Sequence, residues 1–340
     1  MNGRTFVITE EQLAGLARGH GADDAIQLLV DGQLSMRRLG LVAVAVRAAE
    51  LPADLGAAIS LVARVDREAP ERGRDLLRHP FLGAWSRSVL TGDAGPQAAD
   101  YLVALMSATE PRGRLPAVIM DRDPLRNQFG KPVLPPLPPD ERAAFARTLD
   151  AAWDLLLREQ PAHASAMRLA LRAIVPLRTP ADGSQTSASA RGSFGAIGMS
   201  VPDDPVTAAE LLVHEFQHEK LNALLDLLPL CAENGPAVWH APWRPDPRPA
   251  SALLQGVYAF TGVTGFWKQR RLHTTGDEQA HAERLFAHWH EQVCYALDQL
   301  MSSGELTQHG KFFVTELGAT LNDWAPEAEQ ARQTAKGAMS

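Results

Sequence analysis

Apolar residues recur at helical spacing over most of this chain. From about residue 10 to 65, and again from 76 to 107, they return every three or four positions, which predicts a succession of helices. Thr9-Glu10-Glu11-Gln12 opens the first of them with a capping-box pattern, a threonine followed three residues later by a glutamine. Residues 114–139 break the rhythm. Pro132, Pro135, Pro136, Pro138 and Pro139 predict an extended connector there. Helical spacing returns from 140 to about 172, with Phe145, Leu149, Trp153 and Leu156 on one side. A loop rich in Ser, Gly, Ala and Thr follows at 179–193, then a short strand at 194–201 whose glycines allow close backbone approach. From Thr207 the pattern is helical again, broken by a Pro/Trp/Arg-rich loop at 234–249. Long helices fit 250–271 and 277–301, with a last helical portion near 311–321. The expected fold is therefore α+β, predominantly α-helical with a small sheet. Its expected divisions are an N-terminal helical region (1–113), a Pro-rich connector (114–139) and a metal-binding catalytic domain (140–340).

The helix that starts near Thr207 carries the most chemistry. Thr207 and Glu210 have capping-box spacing, and Pro229 is expected to end the helix. Leu211, His214, His218, Leu221, Leu225 and Leu228 form one stripe between them, so both histidines are expected to face the interior. Two buried imidazoles are costly without partners, and a shared divalent metal would supply one. Residues at i and i+4 lie one turn apart on the same side, so two ring nitrogens can reach one ion. Glu215 follows the first histidine and would project beside the metal, where it could take a proton from bound water. The alternative is a pair of satisfied core histidines. For a third ligand the candidates are Glu233, His240 and Gln255, the last better suited to hydrogen bonding a ligand or a bound water.

Residues 239–249 (WHAPWRPDPRP) form the second informative segment. Four prolines restrict the backbone, so Arg244 and Arg248 are presented with little entropy left to lose. Either could hold a carboxylate in a bidentate manner; a structural salt bridge, or stacking on Trp243, is the alternative. Tyr258 follows Gln255 at i+3 and could donate a hydrogen bond to the same place, or be a core tyrosine. His281, His288 and His290 lie on a polar helix, where a solvated face is expected.

Composition narrows the function classes. Apolar and charged contents of 45% and 21% suit a globular chain of 340 residues with a large core. Against 33 basic residues stand 40 acidic ones, a balance of −7 that argues against a nucleic-acid surface. Cys231 and Cys294 are the only cysteines, too few for a disulfide framework, and are expected to be small core residues. No signal-peptide pattern opens the chain, and no stretch approaches the roughly 18 apolar residues needed to cross a bilayer. A cytoplasmic protein without a membrane partner is expected.

Three runs together, 209–221 (AELLVHEFQHEKL), 241–249 (APWRPDPRP) and 254–259 (LQGVYA), resemble the HExxH-motif peptide-modification proteins. These accompany bacterial pathways for ribosomally synthesised, post-translationally modified peptides. The resemblance is strong from about residue 165 onward and loose over the N-terminal helices. Members of that family have been linked to iron(II)- and 2-oxoglutarate-dependent hydroxylation of peptide side chains. The resemblance implies a zincin-like metal helix on which His214 and His218 hold iron, with Glu215 as ligand, base or a neighbour that steers a ligand. It implies that an arginine matching Arg244 or Arg248 binds 2-oxoglutarate; the residues themselves offer Tyr258 beside it and Gln255 as a candidate third ligand. His240 and Trp243 are the expected contacts to a precursor-peptide substrate. Two rivals follow from the same residues. One is a zinc-dependent HExxH peptidase with Glu215 as general base and Glu233 as third ligand; the other is a non-catalytic peptide-binding partner with a structural metal.

Overall fold

The structure is a computed structural model that describes residues 6–19, 21–47, 50–106, 114–232, 235–236 and 238–337. Among the described residues six helices come first: α1 (Glu10–Ala17), α2 (Asp23–Val46), α3 (Ala53–Glu68), α4 (Pro70–Leu77), α5 (Leu82–Thr91) and α6 (Ala98–Met106). Then come β1 (Val118–Ile119), α7 (Pro139–Glu159), α8 (Pro161–Ala170), β2 (Ala173–Pro176), β3 (Ser187–Ala188) and β4 (Ala196–Met199). Four long helices follow among the described residues: α9 (Pro205–Leu225), α10 (Ala250–Arg270), α11 (Gly276–Ser302) and α12 (Gln308–Gly337). The fold is α+β and predominantly helical. At the start of α1 the capping box forms as its residues predict: Gln12 N donates to Thr9 Oγ1 and Thr9 N to Gln12 Oε1, both at 3.1 Å.

The chain divides into two compact units, one made of residues 1–28, 151–169 and 204–340, the other of 29–150 and 170–203. These units do not coincide with divisions at 113 and 139. Residues 114–139 supply β1 and bury Leu115, Phe129 and Leu137, so they are part of a core. Pro132, Pro135, Pro136, Pro138 and Pro139 are themselves exposed, while these apolar side chains between and before them turn inward.

In the unit of 29–150 and 170–203, one sheet runs in the order β1-β2-β4-β3. β1, β2 and β4 are parallel, and β3 is an antiparallel edge. Every residue of β2 and β4 is buried, which suits their unbroken apolar sequences. Phe81 and Phe129 pack on Ala173, Val175, Leu177 and Ala196. Gly198 gives the close approach its sequence suggests, since a Cβ there would lie 3.0 Å from Leu177 and 3.1 Å from Phe129. The buried Arg37 of α2 donates to the carbonyls of Leu77 (2.9 Å) and Phe194 (2.5 Å), tying the end of α4 to the approach to β4.

In the other unit, α10 packs on both α9 and α11, α11 on α12, and α12 on α1. One carbonyl in the last turn of α1 and one just beyond the helix accept from buried side-chain donors here. Tyr258 Oη donates to Leu16 O at 2.6 Å, and Lys220 Nζ to Gly19 O at 2.6 Å. The Lys220 amine also sits over the rings of Phe216 and Tyr258, 5.6 and 5.5 Å from their centroids, and burial pushes it down to about 7. α12 continues through Pro326 to Gly337, well past the expected end near 321. His290 corrects another expectation: it is buried in the helix pair, its Nε2 2.9 Å from Leu321 O. Cys231 is buried and Cys294 half-buried, both as free thiols.

Candidate metal centre

The N-cap of α9 lies three residues before the Thr207 expected from capping-box spacing. Asp204 is the cap, accepting from Val206 N (3.2 Å) and Thr207 N (2.7 Å), with Pro205 at the first helical position. Thr207 donates its own hydroxyl to Asp204 Oδ2 at 2.6 Å, so the carboxylate outcompetes the hydroxyl as cap. The helix closes at Leu225, before Pro229.

Burial around α9 differs from the amphipathic expectation. Leu212, Val213, Glu215, Phe216, Gln217, Glu219 and Lys220 are buried, whereas Leu211, His214, His218 and Leu225 are only half-buried. The histidine stripe is thus the more accessible one. Polar residues on the other sides find internal partners: Gln217 Nε2 donates to Tyr258 O at 3.4 Å and Lys220 to Gly19 O. For a metal site this inversion matters, because a ligand can approach a half-buried pair.

The rings of His214 and His218 meet edge to face with centroids 4.9 Å apart. His218 Nδ1 lies 2.9 Å from Gln255 Oε1, and Gln255 Nε2 donates to Asn222 Oδ1 at 2.8 Å. With its NH2 committed to Asn222, the Gln255 amide turns its carbonyl to the histidine. A carbonyl oxygen can only accept, so His218 Nδ1 carries the proton and Nε2 presents its lone pair. That is the tautomer a metal requires, held by the kind of hydrogen bond that orients histidine ligands. Asn222 is one turn beyond His218 on α9, a relation visible in the sequence but not singled out there.

An aromatic group covers the His214 side. Phe260 meets His214 at 4.9 Å, stacks on Trp289 of α11 at 4.4 Å, and packs on Trp243 at 4.5 Å. A Cβ at Gly256 would lie 2.7 Å from Trp243, so the indole rests directly on the α10 backbone. Phe260 shares a face with Gly256 at i+4, whereas Trp289 has no local signal.

The 239–248 segment closes as a loop through Trp239 N to Arg248 O (3.0 Å) and Arg248 N to Trp239 O (2.8 Å). Within it Asp246 lies between both arginines, 3.1 Å from Arg244 Nε and 3.0 Å from Arg248 Nε. The Arg244 hydrogen bond holds the exposed Asp246 carboxyl below its usual range. Both guanidiniums therefore already face a carboxylate of the chain itself. His240 is exposed, and its backbone is clamped by Gln299, whose Nε2 donates to His240 O at 2.7 Å and whose Oε1 accepts from His240 N at 3.3 Å.

Not all the expected site residues converge. Tyr258 is in the core, its hydroxyl consumed by Leu16 O rather than directed beside Gln255, and burial raises it far above the ordinary phenol range. Glu215 is buried beside the histidines in sequence. Among the described residues no third His, Cys, Asp or Glu gathers with the pair to hold a metal, and Glu233 lies outside them. Two imidazoles with one fixed tautomer fit part of a metal's ligand set; the described residues do not complete it. The chain matches no protein-family model and has no significant match among curated proteins.

Proposed function

We propose that this protein is an iron(II)- and 2-oxoglutarate-dependent hydroxylase acting on a side chain of a ribosomally made precursor peptide, with its metal on a zincin-like helix. One observation carries the reading: two adjacent histidines on the accessible stripe of α9, with His218 Nδ1 engaged by Gln255. The preference for iron, 2-oxoglutarate and a peptide comes from the resemblance of the three motifs. A two-histidine set also leaves coordination positions for a chelating 2-oxo acid, whereas a structural zinc is closed by four ligands. Iron(II) and 2-oxoglutarate together would supply the oxidising power to place an oxygen atom in a C–H bond.

The chain's own residues then have limited roles. His214 and His218 offer imidazole nitrogens. Gln255 and Asn222 keep the His218 ring turned so that Nε2 is free. Phe260, with Trp243 and Trp289 behind it, keeps water from one side of His214. Arg244 and Arg248 are the carboxylate-binding candidates, and a cosubstrate would have to share or displace Asp246. No membrane-spanning role is assigned: no helix among the described residues is long and apolar enough to cross a membrane.

The test is anaerobic purification, metal analysis, then addition of iron(II), 2-oxoglutarate and the candidate precursor peptide. Succinate together with a peptide heavier by one oxygen atom is expected, and both should vanish in His214→Ala. Bound zinc with peptide cleavage in the absence of 2-oxoglutarate would overturn the reading in favour of a peptidase. Metal binding without any change to the peptide would leave a structural metal.

A further inference from the structure

The unit of residues 29–150 and 170–203 contains a cavity unrelated to the histidine pair. It has a volume of about 420 Å³ and lies between α5, α6 and the turn after β1. That is within the range of small-molecule sites. We propose that it binds a guanidinium or ammonium group carried on an aliphatic stem.

The lining combines three features that suit such a group. Trp85, Tyr101 and Leu125 supply aromatic and apolar surface for a stem and for a cation over a ring. Asp93 and Asp100 are exposed at the same cavity, so a positive head can meet carboxylate without burial of an unpaired charge. The described lining residues include no lysine, arginine or histidine, so among them the cavity offers carboxylates to a cation and no cationic side chain to an anion.

The aromatic surface is held in place from behind. Trp85 Nε1 donates to Ala98 O at 3.0 Å. Tyr101 Oη donates to Asp123 Oδ2 at 3.1 Å, and Asp123 Oδ1 accepts from Leu125 N at 2.7 Å. His79 Nε2 stands 3.4 Å from Asp123 Oδ2 on the far side. Tyr101 therefore has no freedom to swing its hydroxyl into the cavity, and the site is built before any ligand arrives.

Two sources share this chemistry, a free amine and a basic side chain of a peptide. Calorimetric titration of the full chain with agmatine and with N-acetyl-leucyl-arginyl-leucinamide separates them, with pentanoate as an anionic control. At least one cationic probe should bind, one per chain, and pentanoate should not. Tighter binding of the peptide assigns a basic side chain; equal or tighter binding of agmatine assigns a free amine. Asp93→Asn with Asp100→Asn should weaken binding roughly fivefold to tenfold, the effect of two exposed charge pairs. Ala104→Trp, at an exposed position lining the cavity, should abolish it. Glu10→Gln with Glu11→Gln removes two exposed acids elsewhere and should change nothing. Because the substituted positions are exposed, unchanged circular dichroism is expected in all variants. Failure of both cationic probes to bind, binding that survives Ala104→Trp, or equal losses in the two acid-neutralised variants would overturn the proposal.

Discussion

The side chains of Asn222, Gln255 and His218 form a chain of hydrogen bonds in which each atom's role fixes the next. Removing the middle member should leave the histidine in place but free its tautomer. Gln255→Ala is expected to lower metal affinity about 10- to 100-fold, the usual effect of losing a histidine's orienting partner. Competition against a chromophoric chelator measures it, and unchanged affinity would remove Gln255 from the site. His79 offers a second test, independent of any metal. Burial, with the positive Arg37 nearby, pushes it down from 6.5 to about 4, despite Asp123 at 3.4 Å. As pH falls, the unfolded chain takes up this proton first. Stability from this residue is therefore complete above about pH 6.5 and declines by roughly 3 kcal/mol as pH approaches 4. Urea unfolding at pH 7 and pH 4.5 should show a smaller pH effect in His79→Gln than in the parent chain.

At the scale of elements, α9 shows what spacing can and cannot reveal. Its existence, its end before Pro229 and the common face of His214 and His218 are all legible from periodicity. Its start is not, because two capping patterns overlap and the one nearer the motif is not the one used. Asp204 with Pro205 behind it satisfies two backbone donors and the Thr207 hydroxyl as well. Asp204→Ala should therefore cost about 1 kcal/mol in urea unfolding, whereas Thr207→Val should cost less. Nor is it legible that the two histidines are half-buried while most of the other faces of α9 are buried. Periodicity assumes polar residues seek water, but Gln217 Nε2 and Lys220 Nζ donate to backbone carbonyls of Tyr258 and Gly19, 41 and 201 residues away in the chain. Such partners leave no local trace.

For the molecule as a whole, a mainly helical α+β fold follows from the long apolar periodicities and one short glycine-containing strand. The remainder of the sheet does not. β1 and β3 are two residues each, too short for any pattern, and β1 pairs with β2 more than fifty residues later. Residues 114–139 look like a connector because proline dominates the local signal, while the burial of Phe129 depends on packing against Phe81 and the sheet. Phe129→Ala discriminates between these pictures: a core position should lose roughly 3 to 5 kcal/mol, a connector almost nothing. In the candidate centre, the histidines and Trp243 were legible from motifs, and Phe260 and Trp289 were not, since α10 and α11 bring them together only in the folded chain. The central claim is that His214 and His218 hold a metal. Metal-free protein titrated anaerobically with iron(II) against a competing chelator tests it most directly. One tightly bound iron per parent chain, and its loss in both His214→Ala and His218→Ala with the fold retained, is the expected result; equal iron binding by parent and variants would contradict it.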